Sequence, residues 1–483
     1  MATDEAPFEP TDEPAAPVHP TRDDPVVAAL SEGVGGPVGE HAGRHRWWTP
    51  VRVVLALVTV VCALGMLQKA PCYADTWLDE DARYAQMCYS DLPYLYVGRG
   101  FVEREWPYTD DEATRARFEV MEYPVGISYL AWGTAWLTQV VTGGTDVGSR
   151  SSRPLGDLYA DPQVRRELRG YVAVSAVLLA AVAIGAAWLL AGVNRGRPWD
   201  AAVFAASPAL LLTGLINWDL LAVLLVAGAL WAWSRDRPVL TGVLIGLGAA
   251  TKLYPLFLLG GVLVLCLRQR RYADFGRATL AGLAAWLVLN LPAYLMAPET
   301  WRAFWSFNAE RGADLGSLWL VLDQAGVALS AGTINTVSLW LFAAWCAGVL
   351  VLGLVAPESP RLAQLGFLVV AGFLLVNKVY SPQYVLWLLP LAALARPRWR
   401  DQLVWQAGEV FYFAAVWWYL GGDLDPGAGS QPGFYWLAVV VRMACQLWLV
   451  TVVARDVLVP ARDPVPRAVP RTIRRTVPEG AVS

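Results

Sequence analysis

The sequence predicts an all-α polytopic membrane protein, a bundle of about 12–13 transmembrane helices with a long first extracytoplasmic loop. Three observations carry this. Of the 483 residues, 56% are hydrophobic and 24 are Trp, more than soluble domains usually hold. Apolar runs of 15–24 residues recur through most of the length, and a bilayer-spanning helix needs about 20 such residues. Between Lys69 and Glu122 the pattern breaks into a polar stretch with twelve Asp or Glu against six Lys or Arg. The net charge of −3 says little, because the basic residues are segregated into particular loops. The lipid bilayer is the expected surrounding, and no nucleic-acid partner is expected.

Residues 1–43 are rich in Pro, Asp, Glu, Ala and Gly without apolar periodicity and read as a disordered cytoplasmic tail. The membrane domain is expected over 44–459, with a basic Pro/Arg-rich cytoplasmic tail at 460–483. The first span, Val51–Leu67, is preceded by Arg44, His45 and Arg46. Basic flanks stay in the cytoplasm, so the N-terminus is expected inside and the acidic loop, about 69–122, outside. Tyr123–Val141 reads as a second span, the Arg-bearing 143–169 as cytoplasmic, and Tyr171–Val193 as a third span.

Trp199–Ile216, Leu220–Trp233, Val239–Ala250 and Tyr254–Leu267 follow, then the basic RQRRYADFGR at 268–277 and a span at Ala278–Met296. A second outer loop is expected at 297–332. Five more spans are Thr333–Val355, Leu362–Val376, Gln383–Leu394, Leu403–Leu420 and Phe434–Val453, with a third outer loop at 421–433. These make 13 segments. Two cytoplasmic termini require an even number, so one segment within 123–216 does not cross. Pro208 makes Trp199–Ile216 one candidate.

Four polar clusters then fall on the outer side: INWD (216–219), TKLYP (251–255), the loop around Asn308–Ser317, and NKVYSPQY (377–384). Broken helices at membrane depth are tolerated where they line a cavity, and ionisable groups there point to function. Each cluster alone also fits interfacial anchoring. Together on one face, with the acidic loop, they point to an outward-facing cavity bearing Asn217, Asp219, Lys252, Asn308, Arg311, Lys378, Tyr380 and Gln383.

Within the acidic loop Asp91 is the leading catalytic carboxylate. It sits among Tyr89, Leu92, Pro93 and Tyr94, a setting that can bury and position it. Its competitors Asp79, Asp81, Asp110 and Asp111 lie in acidic runs that look solvated. Cys72 and Cys88 lie in the same loop, and an extracytoplasmic location leads to the expectation of a disulfide between them. The three His all precede residue 46 and no closely paired cysteines show zinc spacing, so no metal site and no cofactor are expected.

Several stretches resemble glycosyltransferase family 87 of the GT-C superfamily, the polyprenol-phosphate-mannose-dependent mannosyltransferases of actinobacteria. They are SDLPYLY and EYP in the first loop, the hairpin from NWDLLAVL to TKLYP, SFNAERGADLGSLW, and NKVYSPQY. The resemblance runs from about residue 51 to 455. It departs at Tyr123-Pro124-Val125, where the family often has Tyr-Pro-Pro, and at Leu215–Asp219, where it often has Gly-Gln-x-Asn.

The resemblance implies a GT-C-like bundle and an inverting transfer of a hexose, with mannose first in line. The donor would be a polyprenyl-phosphate-hexose and the acceptor an extracytoplasmic envelope glycolipid or glycan. It also implies an acidic general base in the first outer loop, at the position of Asp91. The leaving phosphate calls for cations, for which Arg311, Lys378 and Lys252 are the candidates, Arg311 having a fork suited to phosphate. Tyr94, Glu122 and Asn308 are candidate sugar ligands. The alternatives are a polytopic transporter or lipid flippase, and a non-catalytic envelope-assembly protein. A transporter is expected to show repeat symmetry between halves, and none is visible.

Overall fold

The computed structural model describes residues 46–144, 147–194, 196–424 and 432–465. The tail at 1–43, most of 460–483 and most of the loop at 421–433 lie outside the described residues. Within them the chain is all-α, without strands, and it is a polytopic membrane protein. Five helices are long and apolar enough to cross a membrane: Pro50–Gln68, Pro162–Val193, Tyr272–Met296, Ala331–Val355 and Gly433–Leu458. Shorter apolar helices lie between them, Asp219–Trp233, Pro238–Ala249 and Leu362–Val376 among them.

Local chemistry sets the helix starts. Thr49, Ser207 and Ser330 cap their helices through the side-chain oxygen, and Pro stands in the first turn of Pro50–Gln68 and of Pro208–Thr213. Where apolar helices meet without water to drive them together, small residues let the backbones approach. A Cβ on Gly242 or Gly246 would lie 2.0 Å from the carbonyl oxygen of Ala278 or Gly282. Pro238–Ala249 and Tyr272–Met296 therefore pack backbone to backbone.

The two ends of the bundle are chemically distinct. At one, buried or half-buried arginines join helix ends: Arg396 to Asp401 at 2.8 Å and to Asp456 at 2.5 Å, Arg361 to Asp463 at 2.8 Å, and Arg197 to Asp200 at 3.1 Å. The other end carries the long loops. There the Asp91 N–H donates to the Ile216 carbonyl at 2.8 Å, Gly126 N–H to Ala250 at 2.8 Å, and Asp314 N–H to Lys378 at 2.9 Å.

Two expectations are corrected here. Trp199–Ile216 is not one helix but a chain of short turns, Pro198–Ala201, Ala202–Ala205 and Pro208–Thr213. It still joins the two ends, since Arg197 lies at one and Ile216 at the other. The expectation that 143–169 and the first loop lie on opposite sides of the membrane is corrected as well. Arg150 donates to the Val102 carbonyl at 2.8 Å and pairs with Glu167 at 2.7 Å, and Arg117 donates to the carbonyls of Arg150 and Arg153 at 3.0 and 2.8 Å. Residues 143–169 and the first loop thus form one layer.

The helix between them, Val125–Thr142, lies in that layer. Its Gln139 donates to the Phe101 carbonyl at 3.0 Å, its Trp132 to the Arg104 carbonyl at 3.1 Å, and its Ser128 accepts from Tyr108 at 3.1 Å. A helix whose two ends both touch the same loop does not separate its flanks. Val125–Thr142 therefore keeps both of its flanks at one end of the bundle. The arginines at 150 and 153 misled because each is neutralised by an acid of its own segment, Arg153 by Asp161 at 2.7 Å.

Candidate active site

A cavity of about 700 Å³ opens among the loops, within the range of ligand sites. All four polar clusters contribute to it. Of the residues singled out in the sequence, Asp91, Glu122, Asn217, Lys252, Asn308, Arg311, Lys378 and Gln383 line it.

Asp91 stands at the start of the helix Leu92–Gly98, but its side chain makes no capping bond there. It is left for the cavity, where Tyr123 Oη donates to Asp91 Oδ2 at 3.0 Å and the Tyr89 hydroxyl faces it. Burial pushes its carboxyl up from the ordinary value. The Tyr89 and Tyr123 hydroxyls and the Lys252 ammonium oppose that shift, and the Asp219 carboxylate adds to it. The segment before Asp91 is pinned. Cys72 and Cys88 form a disulfide with Cα atoms 5.8 Å apart, and Trp77 donates to the Cys88 carbonyl at 3.2 Å.

The competing acids are occupied. Asp79 caps the helix Glu80–Ala85, accepting the Asp81 and Ala82 N–H groups at 3.0 Å. Asp111 caps Glu112–Arg117, accepting Thr114 N–H at 2.8 Å, and Asp110 accepts from the Thr300 hydroxyl at 2.9 Å. Asp81 is exposed on the loop surface. Glu122 reaches the cavity but is held by Arg99 at 2.7 Å.

The cations differ in the same way. Lys252, in the break after Pro238–Ala249, pairs with the fully buried Asp219 at 2.9 Å and lies over the Tyr123 ring at 4.9 Å. Arg311 ends the helix Pro298–Glu310 and pairs with Asp314 at 2.5 Å. Lys378 donates to the Asn308 carbonyl and to Asn335 Oδ1, both at 2.5 Å. Among the described residues no carboxylate lies within 4.0 Å of it. Burial and the neighbouring Arg311 charge lower its ammonium below the ordinary value. The ion pairs of Glu122, Lys252 and Arg311 leave Asp91 and Lys378 as the cavity charges without a counter-ion within salt-bridge distance.

Three predicted ligands are placed elsewhere. Tyr94 lies behind Tyr89, its hydroxyl accepting from Arg83 at 2.9 Å. Asp219 is beneath Lys252 and also accepts from Trp387 Nε1 at 3.1 Å, so it is a counter-ion rather than a wall group. Tyr380 is buried. Its hydroxyl donates to Gln446 at 2.7 Å, and the Arg442 guanidinium, paired with Glu409 at 2.8 Å, stacks on its ring at 3.3 Å.

Conversely, Tyr84, Tyr89 and Trp417 form an aromatic wall, with Tyr89 and Trp417 centroids 5.0 Å apart. Tyr123, Asn335 and Tyr384 also line the cavity. The sequence signal for them is slight, because interfacial aromatics are common in membrane proteins. Asn217 Nδ2 is buried without a protein partner, a donor left over for a ligand. Among the described residues, no group of three or more His, Cys, Asp or Glu is arranged to hold a metal ion.

Residues 165–377 match the model of glycosyltransferase family 87. No curated protein matches the chain. The matched stretch carries Asn217, Asp219, Lys252, Asn308 and Arg311, while Asp91 and Lys378 fall outside it. The helical bundle is consistent with the GT-C architecture. Over residues 165–377, a little under half of its length, the chain is similar to glycosyltransferase family 87.

Proposed function

We propose that the protein transfers a hexose, mannose in the first instance, from a polyprenyl-phosphate donor to an extracytoplasmic glycolipid or glycan, with inversion. The observation that carries this is the charge pattern of the cavity: one un-neutralised carboxylate, Asp91, and one un-neutralised ammonium, Lys378, on separate elements. A glycosyl transfer from a lipid phosphate needs a base for the acceptor and a cation for the leaving group.

In this reaction Asp91 takes the proton of the acceptor hydroxyl as its oxygen attacks the anomeric carbon. The bond from that carbon to the phosphate oxygen breaks, and its electron pair leaves with a phosphomonoester dianion. Lys378 meets the added charge, with Arg311 and Lys252 supporting it. Lys378 retains a third N–H after its two bonds. Arg311 spends Nε and Nη2 on Asp314, so only the rest of its fork is offered to phosphate. Asn217 Nδ2, together with Asn308 and Gln383, supplies hydrogen bonds to sugar hydroxyls.

The cavity is proposed to face the outside of the cell, with both termini in the cytoplasm. The even count left when Val125–Thr142 does not cross supports this, as does the basic character of the opposite loops, such as 268–277. Membranes holding the protein are incubated with radiolabelled polyprenyl-phosphate-mannose. Label is expected in a glycolipid or glycan product, and no transfer from any lipid-linked sugar would overturn the reading.

A further inference from the structure

We propose that Lys69 is a positioning residue for Asp91, holding the backbone that carries the carboxylate and setting its electrostatics from behind the cavity wall. The inference rests on the reading of Asp91 as the base. Lys69 is the first residue after the helix Pro50–Gln68 and is only 1% exposed. Its ammonium donates to the Tyr89 carbonyl at 2.8 Å. It belongs to a row of three: Gln68 Nε2 donates to the Met87 carbonyl at 2.6 Å, and Trp77 Nε1 to the Cys88 carbonyl at 3.2 Å. On the far side Ser90 Oγ donates to the Leu215 carbonyl at 2.7 Å, and Asp91 N–H to Ile216 at 2.8 Å. Residues 87–91 are thus clamped between the end of the first helix and the 215–216 turn.

A carbonyl needs only a neutral donor, as Gln68 and Trp77 show beside it. Burying an ammonium there costs more than burying an amide. Burial lowers the Lys69 value to about 7, and Asp91 is the anion that opposes that shift. Asp91 itself faces Tyr89, Tyr123, Lys252 and Asp219. The Lys252 charge is already taken by Asp219 at 2.9 Å. Among the described residues Lys69 has no carboxylate within 4.0 Å, so its field is not spent on an ion pair. It favours the ionised form of Asp91, the form a base requires.

The test compares Lys69→Gln, which removes charge but keeps a donor, with Lys69→Met, which removes both. The Asp91 carboxyl is titrated by infrared difference against Asp91→Asn. It is expected to titrate on the order of one pH unit higher in both variants. The acidic limb of kcat/KM should move with it, while KM for the donor stays unchanged. Turnover near neutral pH should fall by up to about 10²-fold in Lys69→Met, where the clamp is also lost. An unmoved carboxyl titration in Lys69→Gln overturns the proposal, whatever happens to activity. The reciprocal measurement leaves Lys69 intact: with ¹⁵N-labelled lysine, its ammonium should titrate lower in Asp91→Asn than in the unsubstituted protein. An unchanged titration there overturns the proposal even if both Lys69 variants misfold. Absence of sugar transfer by the unsubstituted protein defeats the functional reading instead, and the two titrations still decide the role of Lys69.

Discussion

The Tyr123 hydroxyl, at the end of the first loop, donates to Asp91 Oδ2 over 3.0 Å and ties the two ends of that loop together at the cavity. A hydrogen bond to the charged form of a carboxyl lowers its pKa, so losing it raises the pKa. In Tyr123→Phe the ionised base then persists only at higher pH. The acidic limb of kcat/KM should move upward by about one to two pH units, since a hydrogen bond to a charged group is worth about 1.5–3 kcal/mol and one unit is about 1.4 kcal/mol. A pH–rate profile checks this. A profile unchanged in shape would remove Tyr123 from the control of Asp91.

Asp91→Asn should lower turnover by about 10²–10⁴-fold while leaving donor binding and the Cys72–Cys88 disulfide in place. Asp79→Asn and Asp111→Asn retain a capping oxygen and should keep near-normal turnover. Undiminished turnover in Asp91→Asn would transfer the base to Glu122, despite its pairing with Arg99.

At the phosphate end, Lys378→Met should weaken both donor affinity and turnover, because the phosphate is charged in the ground state and gains charge in the transition state. Arg311→Ala is expected to act in the same direction but less strongly, its guanidinium being already paired with Asp314. Steady-state kinetics with varied donor separates the two. A larger loss for Arg311→Ala than for Lys378→Met would reverse the assignment.

Single-cysteine probes test the layer formed by the first loop and 143–169. Cysteines at Asp110 and Ser151 should both react with an impermeant thiol reagent in intact cells. One at Ser234, at the opposite end, should react only after permeabilisation. Opposite accessibility of Asp110 and Ser151 would mean that Val125–Thr142 crosses the membrane after all.

Much of the fold was legible because hydropathy is additive along the chain. A run of apolar residues closes its own hydrogen bonds as a helix wherever it lies in lipid, so the spans could be read without their neighbours. The same cost of polar groups in lipid exposed the four breaks around Asn217, Lys252, Arg311 and Lys378. Asp91 stood out by its aromatic setting.

What depended on partners from distant parts of the chain was settled only by the tertiary structure. Val125–Thr142 is apolar enough to pass for a span, and its bonds from Gln139, Trp132 and Ser128 into the first loop place it in the loop layer. Tyr380 reads like Tyr384 in the same motif, yet Arg442 and Gln446 claim it, while Tyr384 lines the cavity. Lys252, Arg311 and Lys378 look alike as cations, and the packing supplies carboxylates to the first two alone. Lys69 opens the acidic loop in the sequence, and only the fold brings the Tyr89 carbonyl onto its ammonium. Sequence alone determined which segments avoid water. Which charges remain unpaired was decided by the neighbours that folding brings to each of them, since a counter-ion acts through distance in space rather than along the chain.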